Sequence, residues 1–237
     1  MAWTLVTGGA KGLGAEISRQ LARRRHNLIL HYNKSIELAK RVAEECRQNG
    51  VEVALLQGDF STGESTARFC EELINQFEAT QNLVNNVGNF LVKPLVETTV
   101  ADWQDLFQNN LFAPIAIMNA LTPALMRQRG AIVNIGVAGL NSQWADTYSP
   151  AYNAAKAALW SATKAHAKDL LAKGVRVNMV SPGYLENAVD LPQNPGSLPM
   201  GRPASLAEAA HFVCELLSPQ GAYVTGQNIE VAGGIRL

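Results

Sequence analysis

The feature that most limits what this chain can fold into is a short apolar run, Trp3-Thr4-Leu5-Val6. It ends in Thr7-Gly8-Gly9-Ala10-Lys11-Gly12-Leu13-Gly14 and leads straight into a helical pattern. Glycines followed by Ile17 and Leu21 at helical spacing, over residues 15–25, describe a strand that turns tightly into a helix. Asn27–Tyr32 is again strand-like, so the chain opens with a β-α-β unit. The alternation then persists: a helix over 36–48 stopped by Asn49-Gly50, a strand over 51–57, a helix over 64–77 and a strand over 82–85. Long helices are expected at 101–127 and 149–172 around a strand at 131–135, with Pro114 and Pro123 bending or ending the first. A strand at 175–180, a helix at 205–217 and a strand at 228–231 complete the order. Such alternation predicts an α/β fold in one domain, residues 1–237: a doubly wound, mostly seven-stranded parallel sheet covered on both faces. The exception is a stretch broken by Pro192, Pro195 and Pro199, expected to form a flap at about 184–200 over a pocket.

Charge excludes some partners. Twenty Lys and Arg balance twenty Asp and Glu, so no overall field draws the chain to nucleic acid or an anionic membrane. The run Arg23-Arg24-Arg25 reads as the solvated end of a helix. Cys46, Cys70 and Cys214 lack metal-ligand spacing and suggest reduced thiols in a cytoplasmic compartment, and no metal is expected. Nothing at the start resembles a signal peptide, and no apolar run reaches the length of a membrane span. A small-molecule substrate is the partner that remains.

Glycines between a strand and a helix let the backbone pass close to a pyrophosphate and aim the helix N-terminus at its charge. At the end of the second strand, a carboxylate would bond a ribose 2′-hydroxyl and repel a 2′-phosphate. The residues there are His31-Tyr32-Asn33-Lys34-Ser35, without a carboxylate. With Lys11 in the loop and Asn33, Lys34 and Ser35 as donors, this predicts NADP(H) over NAD(H). Farther on, Tyr152 and Lys156 are four apart and share a helix face. A lysine ammonium beside a phenol stabilises the phenolate and lowers a pKa that is ordinarily about 10, which makes the pair a candidate acid–base group.

The spacing TGxxxGxG, with Asn85-Asn86-Val87-Gly88 and Tyr152-Asn153-Ala154-Ala155-Lys156, resembles the classical short-chain dehydrogenase/reductase family. Asp59, Asn110, Ser181-Pro182-Gly183, Val224-Thr225-Gly226-Gln227 and Gly233-Gly234 fall in the family's order, so the resemblance covers almost the whole chain. It implies a Rossmann fold with the cofactor against Thr7, Gly8, Lys11, Gly12, Leu13, Gly14, Asn33, Lys34 and Ser35. Asp59 and Phe60 would lie near the adenine, Asn86 and Gly88 beside the adenosine ribose, and Pro182 and Gly183 beside the nicotinamide. Hydride would pass to a carbonyl carbon while Tyr152 protonates the oxygen, Lys156 bonds the nicotinamide ribose and Asn110 holds a relay water. The resemblance also implies a homotetramer, with a dimer second.

One element departs from that pattern. Members usually carry Asn-Ile-Ser-Ser, the second serine polarising the substrate carbonyl, where this chain has Asn134-Ile135-Gly136-Val137. Losing one such donor costs on the order of 2–4 kcal/mol of transition-state stabilisation. Three routes stay open. Ser142 folds back as a replacement; or the substrate is self-activated, as the ring C=N of the pteridine reductases; or the chain is an NADPH-binding regulatory or scaffold protein with catalysis weakened or lost. The phrase His31 to Ser35 is similar to pteridine reductases. The ending from Met200-Gly201-Arg202-Pro203 is similar to 3-oxoacyl-carrier-protein reductases, for which Arg127 and Arg129 are candidate contacts to an acidic partner. Tyr148 is expected in the pocket wall.

Overall fold

A computed structural model describes residues 2–142 and 145–235. Seven strands form one sheet: β1 (Trp3–Val6), β2 (Asn27–Tyr32), β3 (Val53–Gln57), β4 (Thr80–Asn85), β5 (Ala131–Ile135), β6 (Arg176–Pro182) and β7 (Asn228–Val231). Every neighbouring pair is parallel, in the order β3-β2-β1-β4-β5-β6-β7. The inner strands are covered on both faces, and β5 is buried along its whole length.

The helices α1 (Gly12–Arg23), α2 (Ile36–Arg47) and α7 (Leu206–Leu217) pack together over one face. Ile17, Leu21, Val42 and Val213 join Leu28, Leu30 and Val133 in that core. On the other face lie α3 (Gly63–Gln76), α4 (Val100–Phe107), α5 (Ala113–Gln128) and α6 (Pro150–Leu170), where Leu73, Ile117, Leu121 and Leu159 meet Leu5, Ile29 and Leu83. The sequence order reverses between β1 and β4, which opens a crevice at the carboxyl ends of the central strands.

Several helix starts are closed by side chains. Thr62, Thr99 and Ser205 cap α3, α4 and α7 in reciprocal boxes with Ser65, Asp102 and Glu208. The start of α1 has no such side chain: Lys11 stands at the cap position and makes no capping bond. The single long helix expected at 101–127 is instead two, joined by a π-helical turn at Gln108–Phe112. The break is at Asn110, not at a proline. Pro114 falls in the first turn of α5, where its missing N–H costs nothing, and Pro123 is accommodated inside that helix.

Candidate active site

The turn after β1 is built by its neighbours. The Thr7 hydroxyl donates to the Val84 carbonyl at 3.3 Å and accepts from the Asn86 and Val87 amides at 2.8 and 3.1 Å. The Asn86 side chain donates to the Thr7 carbonyl at 2.9 Å, so it braces the loop from β4. Gly8 and Gly12 adopt φ of +64° and +54°, where a side chain would be strained. At Gly14, a Cβ would overlap the Gly8 carbonyl oxygen. This close folding leaves the amides of the first turn of α1 uncapped at the mouth of the crevice, which suits an anionic group such as a pyrophosphate.

At the end of β2, Asn33 and Lys34 are exposed, as is Lys11 across the loop. Asp59 comes in from the end of β3: its carboxylate accepts from Asn33 at 3.3 Å and from the Ser61 amide at 3.0 Å. Those bonds, with Lys34 nearby, hold its pKa below the usual carboxylate range. An acid therefore does reach the neighbourhood of β2, though from a different strand. Phe60, expected near the adenine, packs its ring into the core. It is 4% exposed and stacked on His31 at 4.3 Å. His31 is itself buried, and loss of hydration pushes its pKa down to about 4.

At the other end, a cleft of about 600 Å³ brings together Leu13, Gly88, Val137, Tyr152, Pro182 and Gly183 from remote parts of the chain. Tyr152 and Lys156 lie on α6 as the spacing required. The ammonium of Lys156 donates to the Ile135 carbonyl at 2.8 Å and sits 5.7 Å from the Tyr152 ring centre. Burial pulls the lysine down to about 8. Beside it, the buried Asn110 donates to the Asn89 and Leu106 carbonyls, both at 3.0 Å, while its side-chain oxygen is left without a partner. A Cβ at Gly88 would overlap that oxygen and come within 3.2 Å of the Lys156 Nζ, so glycine is what lets these groups converge.

Two expectations are corrected here. The Tyr152 phenol is not made more acidic: burial first, and the Asp190 carboxylate second, raise its pKa above the ordinary phenol value. The lysine's charge is directed at a carbonyl, whereas Asp190, from the flap, lies in the same cleft wall as the phenol. Ser142 is also not in the cleft wall. Gly139 turns the chain at φ +95°, Asn141 bonds Glu230 and Asn228 near β7, and the Ser142 hydroxyl donates to the Gly139 carbonyl at 3.2 Å.

Val137 does occupy the wall beside Tyr152, where the expected hydroxyl would have been. Gly136 is tightly hemmed in: a Cβ there would overlap the Ser181 hydroxyl and fall 2.6 Å from the Met179 sulfur, so those side chains would have to shift. Two of the donors nearby, Ser149 and Asn153, are already used. Ser149 donates to Asp146 at 3.1 Å, and Asn153 donates to the same carboxylate, which also accepts from the Tyr148 and Ser149 amides at the start of α6. Tyr148 lines the cleft as expected and is half-exposed. Phe90, edge-on to Tyr152 at 4.9 Å, and the two aspartates were not singled out from sequence. The flap's irregular order offers no spacing that would have marked Asp190.

Among the described residues no His, Cys, Asp or Glu cluster could hold a metal, and no helix is long and apolar enough to cross a membrane. Residues 8–236 match the family model described as enoyl-(acyl carrier protein) reductase. The 3-oxoacyl-[acyl-carrier-protein] reductase of Staphylococcus epidermidis is 33% identical over 98% of this chain and 97% of its own. An uncharacterized oxidoreductase of Bacillus subtilis is 32% identical over 97% of each. A blue fluorescent protein from a metagenomic library, solved in complex with NADPH, superimposes with a TM-score of 0.91 at 30% identity, covering 100% of this chain and 98% of that one. The acetoin dehydrogenase of Salmonella typhimurium gives 0.89 at 27%, over 99% and 97%.

Proposed function

The chain belongs to the classical short-chain dehydrogenase/reductase family and is an oxidoreductase, and from that premise we propose that it reduces a carbonyl, or a ring C=N, of a small organic substrate at the expense of NADPH. The observation that carries this reading is the convergence of Tyr152, Gly88, Leu13 and Pro182-Gly183 on one cleft, with Lys156 buried beside Gly88. When bound, the dinucleotide supplies the hydride. Its pyrophosphate would meet the uncapped start of α1, and its adenosine would lie toward Lys11, Asn33, Lys34, Ser35 and Asp59. The preference for NADPH over NADH rests on the exposed Lys11 and Lys34. Rates measured with the two cofactors test it, and faster turnover with NADH defeats it.

Tyr152 is the proton donor. A phenol whose pKa is raised keeps its proton at neutral pH, and once hydride has passed to the carbonyl carbon the oxygen becomes an alkoxide far more basic than a phenolate, so proton transfer to it is downhill. Lys156 stays charged below its pKa of about 8 and offers its remaining N–H bonds to the cofactor ribose. The unpartnered oxygen of Asn110 would accept from a relay water linking the lysine to solvent. Tyr152→Phe should lower kcat on the order of 10³-fold and leave NADPH affinity almost unchanged. Retained turnover would remove Tyr152 from the chemistry, and absent turnover in the parent protein would favour the binding-only alternative.

With Val137 in the wall and the Ser142 hydroxyl bonded to the Gly139 carbonyl, activation falls to the substrate itself or to the Tyr148 hydroxyl. Pterins, quinones and 3-oxoacyl thioesters are the substrates to screen. The exposed Val100 and Phe112 are apolar surface for self-association, and a cytoplasmic homotetramer is the assembly we propose, with a dimer as the alternative that sedimentation would reveal.

A further inference from the structure

His31, at the end of β2, touches the turns on both sides of it. Its Nδ1 accepts from the Gly8 amide at 2.9 Å, and its Nε2 lies 3.2 Å from the Gly58 carbonyl oxygen. An amide N–H only donates and a carbonyl only accepts, so a single form satisfies both contacts: neutral imidazole with its hydrogen on Nε2. The ring has little room to leave this position. Phe60 is stacked on it with planes 7° apart, and Phe69 stands edge-on at 5.1 Å. A Cβ at Gly58 would come within 2.6 Å of the Phe69 ring and 3.1 Å of the imidazole. The backbone carbonyl of His31 also accepts from the Gly9 amide at 2.9 Å. One residue thereby holds Gly8 and Gly9, at the start of the glycine loop, and Gly58, the residue before Asp59.

We propose that His31 is a positioning residue for the dinucleotide: it ties the turn after β1 to the turn after β3 and so presets the shape of the adenosine end of the crevice. The inference rests on the reading that these turns hold a dinucleotide. Gly8 sits at a φ that glycine reaches but does not require, so the loop has other conformations to lose. A fixed partner for its amide removes that ordering cost from cofactor binding. Thr7 and Asn86 brace the loop from β4, and His31 braces it from the opposite side. The imidazole does not line the cleft that holds Tyr152, so its removal should raise KM for the cofactor and spare kcat.

Three measurements test this. Nitrogen-detected NMR of the wild-type protein at pH 7 should show His31 as the neutral Nε2–H tautomer. In His31→Leu, the dissociation constant and KM for NADPH should rise by about tenfold or more, with kcat within about threefold. In His31→Asn, whose carboxamide oxygen can accept from the Gly8 amide, most of that affinity should return. The inference is overturned by the Nδ1–H tautomer or an imidazolium at pH 7. It is equally overturned by a folded His31→Leu protein that binds NADPH as the parent does, or by His31→Asn being impaired as much as His31→Leu. Should His31→Leu fail to fold, the tautomer and the Asn variant decide. Wild-type protein that binds neither NADPH nor NADH sinks the dinucleotide reading beneath it, whereas intact wild-type binding with unaffected variants sinks only the role of His31.

Discussion

Near the glycine loop, polar side chains are bonded mainly to backbone: Thr7 to the turn after β4, Asn86 to Thr7, and His31 to Gly8 and Gly58. Near Tyr152 the wall is Val137 and Ala138, and the polar side chains Asp146, Ser149 and Asn153 bond mostly to one another. Asp190, whose charge raises the phenol's pKa, comes from the irregular stretch after β6. The first region is a backbone mould held at many points, and a substitution there should change how well the cofactor binds. The second is a surface of side chains on a finished scaffold, where a substitution should change which substrate reacts and at what pH while the fold stays intact.

The largest expected effect comes from breaking the mould. In Gly14→Ala the new methyl overlaps the Gly8 carbonyl, and because the obstacle is backbone the loop itself must move. Overpacking of this kind costs about 1–3 kcal/mol, and a displaced loop should weaken NADPH binding by about 100-fold. Fluorescence titration with NADPH and a melting curve check both halves. Binding at the parent affinity would mean that the loop is softer than its bonds suggest and that the contrast between the two regions is false.

These regions also differ in how far they can be read from letters. A glycine loop between a strand and a helix has few geometries open to it, so Thr7–Gly14 was legible in order and position. Tyr152 and Lys156 were legible because a four-residue separation on a helix fixes a shared face, and Val137 was legible as a missing hydroxyl. What escaped depended on how loops turn or on partners far away in sequence. Ser142 pointed elsewhere because Gly139 reverses the chain toward β7. That the Phe60 ring would pack in the core depended on His31 lying under it. The π turn placed Asn110 by an extra residue in a helix whose apolar pattern looked continuous. Asp190 had no periodic neighbours at all, so its place beside Tyr152 was visible only in three dimensions.

A smaller effect, of opposite sign, is expected from the wall of the cleft. Val137→Ser returns a hydroxyl to the place beside Tyr152 without touching Gly136, where any Cβ meets Met179. A fully supported donor is worth 10²–10³ in rate; one added to a wall that evolved around valine should recover about tenfold, and only for ketones that do not activate themselves. The kcat/KM for a simple ketone and for a ring C=N substrate, compared in parent and variant, reads this out. Equal gains for both would mean that the hydroxyl acts on packing and that the valine has no part in selecting the substrate.

The smallest effect separates the two regions most cleanly, because it leaves every bond in the loop alone. The Asp190 carboxylate disfavours a negative phenolate and so raises the Tyr152 pKa; Asp190→Asn removes that charge and lets the pKa fall. Reduction needs the protonated phenol, so its rate is lost as pH rises through this pKa, and the alkaline limb in the variant should move to lower pH. Alcohol oxidation needs the phenolate, so at a fixed alkaline pH the variant should be faster in that direction. Asp190 is partly exposed and its field is screened, which keeps the displacement to less than about one pH unit and makes it shrink with added salt. Burial remains after the substitution and still holds the pKa above the ordinary value. The check is a pair of pH–rate profiles, reductive and oxidative, at low and high salt, with NADPH affinity followed in parallel. A limb that stays in place, or a fall in NADPH affinity without any shift, would put Asp190 with the binding mould instead of the chemistry.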